Sequence, residues 1–376
     1  MSEPLVPFVD LAAEWLLLKD DVSARILRVF EHGQFVMGPE VSELERRLAD
    51  DVGVAFAMTC SSGTTALQMA LMALGVGPGD DVILPAFTFA APLEAVLLLG
   101  AKPMLADIDP ITYCIDVNSV TQLVTPRTKA IIAVSLYGQP ADFEHLNRVA
   151  DLHGIPVVED AAQSYGATLN GRRSGSLSAM GCTSFFPTKP LGGAGDGGAF
   201  FTDDPNLANR VREIRDHGQA GKYHHVRLGI NGRLDTIACA ALLPRLAGIG
   251  KAIAQRQSVA SRYDALLHKA ATSGQITLPA VRKNSTSAYA QYAIQIANRG
   301  PVMAVMQKSG IQVAAHYPAP LHHQPAFRDH VGFDRLPQAE NVSRRVLCLP
   351  IYPALTIEQQ ELTVSALMKA LAATLI

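Results

Sequence analysis

The sequence predicts an α/β protein with a mainly parallel sheet, followed by a smaller α+β region. Short apolar or β-branched runs at residues 81–85, 129–136 and 155–159 are bounded by Gly, Pro or Asp and are typical of buried strands. Helical stretches such as residues 64–75 and 142–154 lie between them and end at glycine, as helices commonly do. Repeated strand–helix units favour a sheet with helices on both faces and a ligand site beyond the carboxyl ends of its strands.

The second region follows a stretch from residue 234 to about 263 that is rich in Ala, Leu, Ile and Arg and predicts a long helix. Beyond it, residues 289–297 are typical of a strand, and residues 302–309 and 357–375 of helices. The chain of 376 residues is long enough for two domains. We predict a large domain over residues 1–249 and a smaller one over residues 250–376.

Composition excludes several classes of protein. Lys and Arg total 32 against 34 Asp and Glu, a net charge of −2, which gives no electrostatic reason to expect nucleic acid or an anionic membrane surface as partner. Five cysteines lie far apart with no CxxC pair, a pattern typical of reduced thiols in a cytoplasmic protein. The chain start lacks a secretory signal and no segment has about 18 uninterrupted apolar residues, so we expect neither secretion nor a membrane span.

Residues 181–202, GCTSFFPTKPLGGAGDGGAFFT, place Lys189 among small, apolar and glycine residues. Desolvation lowers the pKa of a lysine amine, and the neutral amine can attack a carbonyl to form a Schiff base. Lys189 is therefore a candidate nucleophile, the alternative being a solvated loop lysine. The literal G-x-G-x-x-G at Gly193, Gly195 and Gly198 precedes a strand-like run instead of following one, which argues against dinucleotide binding.

Two carboxylates, Glu159 and Asp160, stand side by side where a predicted strand ends. Successive strand residues point to opposite faces, so one carboxylate can enter the cleft while the other turns away, and we expect Asp160 to be the inward one. A buried carboxylate needs a cationic or donor partner to stay ionised, and a protonated pyridine nitrogen is such a partner. The alternative is an Asp that caps the following turn.

Two more segments at predicted strand ends suit a phosphorylated, planar ligand. Ser62, Gly63 and Thr64 lie between a strand-like run and a helix, where hydroxyls, free N–H groups and the helix dipole favour phosphate, although simple N-capping is the alternative. Phe87 and Phe89 follow another strand, where an aromatic ring can stack on a cofactor or belong to the core. Phosphate donors, an aromatic plate, a carboxylate and a Schiff-base lysine are the parts that pyridoxal 5′-phosphate requires.

These segments resemble the nucleotide-sugar aminotransferases of the DegT/DnrJ/StrS family. The resemblance extends from the opening VPFVDL to HYPAPLHHQP and is most specific in EDAAQSYGA and TSFFPTKPLGGAGDGGA. It implies the α/β architecture of a fold type I pyridoxal-phosphate-dependent transferase, similar to aspartate aminotransferase. That fold has a large domain with a mainly parallel seven-stranded sheet and a smaller α+β carboxyl-terminal domain.

The resemblance also assigns roles at the cofactor. It makes Lys189 the Schiff-base lysine and Asp160 the partner of the pyridine nitrogen. Phe89 matches the ring that stacks on the cofactor, and Gln163 matches a position near the cofactor hydroxyl where many relatives carry His. The implied phosphate contacts are Ser62, Gly63, Thr64 and Ser184, with Asn231 of LGINGRLD reaching the phosphate of the neighbouring subunit in a homodimer.

On the substrate side, the resemblance places Arg233, His316 and Tyr317 where a nucleotide-linked sugar is held, the alternative being surface or interface residues. Six histidines are candidate metal ligands because of their residue type: His217, His224, His225, His316, His322 and His323. Their spacing matches no standard zinc pattern, so we predict no metal site.

The implied reaction has two halves. L-Glutamate gives its amino group to the cofactor, leaving pyridoxamine 5′-phosphate, and a nucleotide-linked ketosugar then receives it. The segments SLYGQPADF and YHHVRLGINGRLDT suggest UDP-2-acetamido-2-deoxy-3-oxo-glucuronate as the ketosugar, for surface polysaccharide or O-antigen synthesis. Alternatives are a dTDP-linked 3-keto or 4-keto 6-deoxysugar, or a non-catalytic regulator on the same fold. A sugar dehydratase is disfavoured because those relatives carry histidine at the position of Lys189.

Overall fold

A computed structural model describes residues 5–332 and 335–374. Its strands are β1 (Phe56–Cys60), β2 (Asp81–Pro85), β3 (Lys102–Ala106), β4 (Thr128–Val134), β5 (Val157–Asp160), β6 (Thr168–Leu169), β7 (Arg172–Arg173), β8 (Met180–Ser184), β9 (Gly198–Thr202), β10 (Gln219–Gly221), β11 (His224–His225), β12 (Ile276–Thr277), β13 (Tyr292–Ile296) and β14 (Val346–Leu349). Its α-helices are α1 (Leu11–Leu16), α2 (Lys19–His32), α3 (Pro39–Val52), α4 (Gly63–Ala73), α5 (Ala91–Leu98), α6 (Val117–Leu123), α7 (Phe143–His153), α8 (Pro205–Arg215), α9 (Thr236–Thr272), α10 (Arg299–Lys308), α11 (Pro337–Arg345) and α12 (Ile357–Ala373).

The main sheet has seven strands in the order β1-β9-β8-β5-β4-β2-β3. Every pairing from β8 to β3 is parallel, and β9 is antiparallel to both of its neighbours. The predicted α/β class and the mainly parallel seven-stranded sheet are therefore confirmed. Since β9 runs in reverse, its first residue, Gly198, lies opposite Cys60 and Ser184. The carboxyl ends of β1, β5 and β8 thus meet at one edge of the sheet.

Helices cover both faces of this sheet, as the apolar strands predict. Val82 and Leu84 of β2 pack in a cluster with Leu67 of α4, whereas Ile83 packs with Phe143 of α7 in a cluster on the opposite face. This alternation follows from the two-residue period of a strand. The core is therefore built on two sides of the sheet, and its carboxyl edge is left to bind ligands.

The carboxyl-terminal region contains the antiparallel sheet β12-β13-β14, against which α10, α12 and the second half of α9 pack. The predicted strand at 289–297 is β13, and the predicted helices at 302–309 and 357–375 are α10 and α12, although residue 375 lies outside the described residues. Helix α9 continues past residue 263 because Leu267 and Ala270 are buried in this second core. It also runs unbroken through residue 250, so the division of the chain there stays a prediction.

Within the described residues, α9 is long and apolar enough to cross a membrane, and no other helix is. Its most apolar window is 56% buried inside the protein. Arg245 and Arg256 on this helix are buried and approach the carboxylate of Glu14 on α1 at 2.8 and 4.0 Å. Burial of the helix and its ion pairs are typical of a core helix in a folded domain.

Candidate active site

A cavity of about 460 Å³, hereafter the main cavity, opens at the carboxyl edge of the seven-stranded sheet. Most of the site residues predicted from the sequence line it: Ser62, Gly63, Thr64, Phe89, Asp160, Gln163, Ser184, Lys189, His316 and Tyr317. The first eight come from strand ends, the loops that follow them and the start of α4, and the last two from a loop before β14. The parallel topology therefore brings together residues that are far apart in the chain.

One end of the main cavity is built to receive an anion. Ser62 caps α4 by accepting a hydrogen bond from the Thr65 N–H at 3.0 Å, while the first N–H groups of the helix have no acceptor within it. A Cβ on Gly63 would lie 2.7 Å from Cβ of Ser184, and one on Gly198 would lie 2.5 Å from the Ser62 carbonyl carbon. Glycine at these positions lets the start of α4 approach the ends of β8 and β9, so N–H groups, hydroxyls and the helix dipole converge.

Lys189 and Asp160 are charged residues of opposite sign in the main cavity. Burial lowers the pKa of the Lys189 amine, and the negative charge of Asp160 partly opposes that shift. Burial raises the pKa of Asp160, while the Ala162 N–H, which donates to its Oδ1 at 3.0 Å, and the charge of Lys189 lower it. A lysine whose neutral form is stabilised is a nucleophile for a carbonyl carbon.

Aromatic and amide side chains form the remaining walls. Phe89 is 54% exposed at the rim, and its ring centroid lies 6.1 Å from that of Tyr317, whereas Phe87 is buried in the core. Gln163 accepts from the Tyr137 N–H at 2.9 Å and donates to the Tyr317 hydroxyl at 3.3 Å. The amide therefore links the end of β5 to the loop that carries Tyr317.

His316 enters the main cavity beside Tyr317. Its ring makes an edge-on contact with Phe8 at 5.6 Å, and its Nδ1 is buried with no hydrogen-bond partner among the described residues. Burial, together with the charge of Lys189, lowers the pKa of His316. At neutral pH the ring is therefore an uncharged hydrogen-bonding group, and its Nδ1 is left without a partner among the described residues.

Two predicted site residues lie outside the main cavity. Arg233 lines a neighbouring cavity of about 710 Å³, hereafter the side cavity, together with Ser61 and Asp196, and it pairs with Asp216. Asp196 lines both cavities, which makes them neighbours. Asn231 is exposed on the protein surface.

Sequence reasoning missed several residues of the main cavity, among them Phe186, Asp196 and Gln291. Asp196 is the only charged residue within the glycine-rich stretch after Lys189, a signal that could have identified it. Gln291 stands directly before β13, and its Oε1 is buried without a partner among the described residues. A polar residue beside an apolar strand is a weak signal, because nothing local shows that the strand reaches the cavity.

The chemistry of the main cavity fits pyridoxal phosphate. The start of α4 and Ser184 can hold the phosphate, Asp160 can face the pyridine nitrogen, and Lys189 can reach the aldehyde. The glycine at position 63, where any Cβ would meet Ser184, provides the close approach that such a phosphate site needs.

Comparison with known proteins agrees with this geometry. Residues 17–368 match the model of the DegT/DnrJ/EryC1/StrS aminotransferase family. The chain is 49% identical over 363 residues to the UDP-2-acetamido-2-deoxy-3-oxo-D-glucuronate aminotransferase of Pseudomonas aeruginosa, covering 96% of this chain and 99% of that protein. It is 40% identical over 361 residues to a pleiotropic regulatory protein of Geobacillus stearothermophilus, covering 96% of each.

Among solved structures, the chain is similar to S. venezuelae DesV in complex with a ketimine intermediate. The TM-score is 0.94 at 37% identity, over 98% of this chain and 99% of that one. The family match spans nearly the whole chain, and the residues of the main cavity suit the cofactor that such enzymes use. The protein therefore belongs to the DegT/DnrJ/EryC1/StrS family of pyridoxal-phosphate-dependent aminotransferases.

Proposed function

We propose that this enzyme transfers the amino group of L-glutamate to the 3-keto carbon of UDP-2-acetamido-2-deoxy-3-oxo-glucuronate, in the synthesis of a surface polysaccharide. The convergence of Lys189, Asp160 and an anion-binding helix start on one cavity carries the aminotransferase chemistry. The relative from P. aeruginosa, which bears the name of this substrate, supports the choice of ketosugar.

At the cofactor, each residue has a distinct task. The N–H groups at the start of α4 and the Ser184 hydroxyl bind the phosphate, and Phe89 covers one face of the ring. Asp160 holds a proton on the pyridine nitrogen through its negative charge. When bound, pyridoxal phosphate supplies an aldehyde and a ring that accepts electrons from the reacting carbon.

Lys189 acts twice in this proposal. With pyridoxal phosphate bound, its neutral amine would hold the cofactor at the aldehyde carbon with loss of water, and the amino group of glutamate would take its place there and free the lysine. The freed amine then removes the α-proton of the donor and later returns a proton to the sugar carbon. The lowered pKa of Lys189 suits both tasks, because each requires the amine to lose a proton near neutral pH.

The nucleotide sugar is assigned to the mouth of the main cavity and to the side cavity. His316 and Tyr317 would contact the sugar, since both line the main cavity and His316 has a free ring nitrogen. Arg233 would bind the diphosphate, in exchange for its present pairing with Asp216.

A homodimer would complete the site. Apolar side chains are exposed around α1 and α2, including Leu17, Leu27 and Phe30, and Phe35 and Val36 are exposed at the side cavity. A second copy would cover this surface, which is otherwise costly to leave in water. Asn231 is exposed and can reach the phosphate site of a partner only across such an interface.

The proposed function is tested by assaying the two half-reactions separately. Holoenzyme mixed with glutamate should lose the visible absorption of bound pyridoxal phosphate and release 2-oxoglutarate. A panel of UDP- and dTDP-linked ketosugars should then show amination of the UDP-linked 3-keto sugar, identified by product mass and by the position of the new amine. Amination of a dTDP-sugar alone would overturn the substrate, and an inert cofactor would favour a regulator such as the Geobacillus relative's name indicates.

The dimer is tested by complementation between two inactive variants. Lys189→Ala and Asn231→Ala subunits, co-expressed, should regain about a quarter of wild-type activity, because half of the dimers are mixed and each has one site with both native residues. If Asn231 acts within its own subunit, or does not act at all, mixing restores nothing beyond the activity of the Asn231→Ala protein itself.

A further inference from the structure

Two histidines and a glutamate from separate elements meet outside the main cavity. His322 and His323 lie in a short 3-10 helix at Leu321–His323, and Glu340 lies in the first turn of α11. One ligand atom from each lies within 4.8 Å of the other two, and Nε2 of His322 is 3.6 Å from Oε1 of Glu340. Two imidazoles and a carboxylate are a ligand set used by zinc.

The ring of His322 makes no hydrogen bond to the described residues at this cluster. Its side chain is only 6% exposed, its Nδ1 is buried without a partner among the described residues, and its Nε2 has only the Glu340 carboxylate at 3.6 Å, beyond hydrogen-bond distance. A buried polar group without a partner is costly, and buried groups of this kind are nearly always satisfied. A metal ion between the three side chains would accept the free electron pair of this ring.

The backbone around the cluster is fixed on both sides. The Leu321 N–H donates to the Ala86 carbonyl at 2.8 Å, which ties the 3-10 helix to the loop after β2. The carboxylate of Asp107 accepts from the N–H groups of Gln338 and Ala339 at 3.0 and 2.8 Å, which ties the start of α11 to the end of β3. The backbone segments that carry the three side chains are therefore held in place by hydrogen bonds to the rest of the fold.

We propose that His322, His323 and Glu340 bind one divalent transition-metal ion, of which zinc fits the ligand set best. His323 is exposed, so the ion can enter from solvent and keep a water molecule as its fourth ligand. Histidine spacing along the chain could not predict this site, because the carboxylate comes from α11.

The ion would serve structure and not the reaction. None of the three ligands lines the main cavity or the side cavity. The ion would join the 3-10 helix, which follows His316 and Tyr317 by a few residues, to α11, and would stabilise the folded state by its binding free energy.

The test uses untagged holoenzyme titrated with Zn²⁺ or Co²⁺ after treatment with a chelator. We expect one equivalent of Zn²⁺ to bind by calorimetry and to raise the Tm, and Co²⁺ to give the visible d–d absorption of a low-coordinate nitrogen and oxygen site. His323→Ala should abolish both signals with little cost to folding, because His323 is exposed, and Glu340→Gln should weaken them. His330→Ala, which removes an exposed histidine of the following loop, is the matched control and should behave as wild type.

Two outcomes would overturn the metal site. One is wild-type protein that binds no Zn²⁺ saturably, and the other is a Zn²⁺ signal that persists in His323→Ala. Neither bears on the aminotransferase reaction, because the readouts are metal binding and Tm and do not include turnover.

Discussion

Glu159 and Asp160 end the same strand, but they serve opposite sides of the main sheet. Asp160 lines the main cavity and shares it with Lys189. Glu159 faces the other side, where it accepts hydrogen bonds from the Ser174 hydroxyl at 2.6 Å and the Leu177 N–H at 3.1 Å. Alternation along a strand thus separates a carboxylate that can meet a cofactor from one that joins two parts of the chain.

The pKa values of the two carboxyls show why burial is a poor guide to catalysis. Burial raises the pKa of both, and that of Glu159 rises to about 7 although Ser174 and Leu177 hydrogen-bond to it. Perturbed pKa values are concentrated at functional sites, but structural carboxylates share them. Contact with the cavity, and not the shift itself, distinguishes Asp160.

Among variants of the main cavity, Lys189→Ala is expected to have the largest effect on turnover. The variant should lose at least about 10⁴-fold in kcat, because both the covalent bond and the proton transfers disappear. Its denaturant midpoint should stay near that of wild type, since a buried charge is removed and no packing contact is essential. Lys129→Ala, which removes an exposed lysine from β4, is the control and should turn over normally.

Asp160→Asn should give the next largest loss of turnover. The amide keeps the shape and can still accept from the Ala162 N–H, but it carries no charge to hold a proton on the pyridine nitrogen. We expect kcat to fall by about 10²–10⁴-fold, with little change in urea unfolding. Steady-state kinetics and equilibrium unfolding of one preparation measure both quantities, and near-normal turnover would remove Asp160 from the proposed mechanism.

Glu159→Gln should give the reverse of Asp160→Asn, with lower stability and nearly unchanged turnover. The amide keeps one oxygen that can accept from the Leu177 N–H, but its N–H₂ group then faces the Ser174 hydroxyl that donates to Glu159, so the free energy of unfolding should fall by about 1–3 kcal/mol at mildly acidic pH. Turnover at low temperature should stay close to wild type. A variant that folds as stably as wild type but loses activity would place Glu159 in the reaction and erase the contrast between the two carboxylates.

The smallest expected effect is a pH dependence of the difference in unfolding free energy between wild type and Glu159→Gln. The folded pKa of Glu159, about 7, lies above its ordinary value of 4.5, so the protonated form stabilises the fold below the ordinary value and that contribution is lost as pH rises toward 7. The stability advantage of wild type over Glu159→Gln should therefore shrink between about pH 5 and pH 8. Urea unfolding of both proteins across this interval measures it, and a constant difference would contradict the raised pKa.

The sequence predicts the residues at strand ends better than those contributed by distant segments. Lys189, Asp160 and Gly63 lie at or just after the carboxyl ends of strands in one mainly parallel sheet, so topology alone brings them together. Gln291 could not be placed, because its access to the main cavity depends on how separate segments pack, whereas Phe186 lies just after β8 and was open to the same reasoning as Lys189. The full length of α9 was underestimated for a similar reason, since its final turns are stabilised by contacts with β12 and β13.

Asn231 and Arg233 show a different limit of predicting site residues from the sequence. Both belong to one loop, yet the structure places neither in the main cavity. If a second subunit completes the site, the information that fixes their roles lies in an interface, which neither periodicity nor spacing within one chain encodes. Their roles therefore stay predictions that the complementation experiment decides.

The proposed chemistry depends above all on a bond between Lys189 and the aldehyde of pyridoxal phosphate in the main cavity. Reduction of the holoenzyme with borohydride, followed by peptide mapping by mass spectrometry, tests it directly. We expect a single phosphopyridoxyl group on Lys189, absent when glutamate has first converted the cofactor to its amine form. Labelling of another lysine, or none at all in protein that has bound the cofactor, would contradict it.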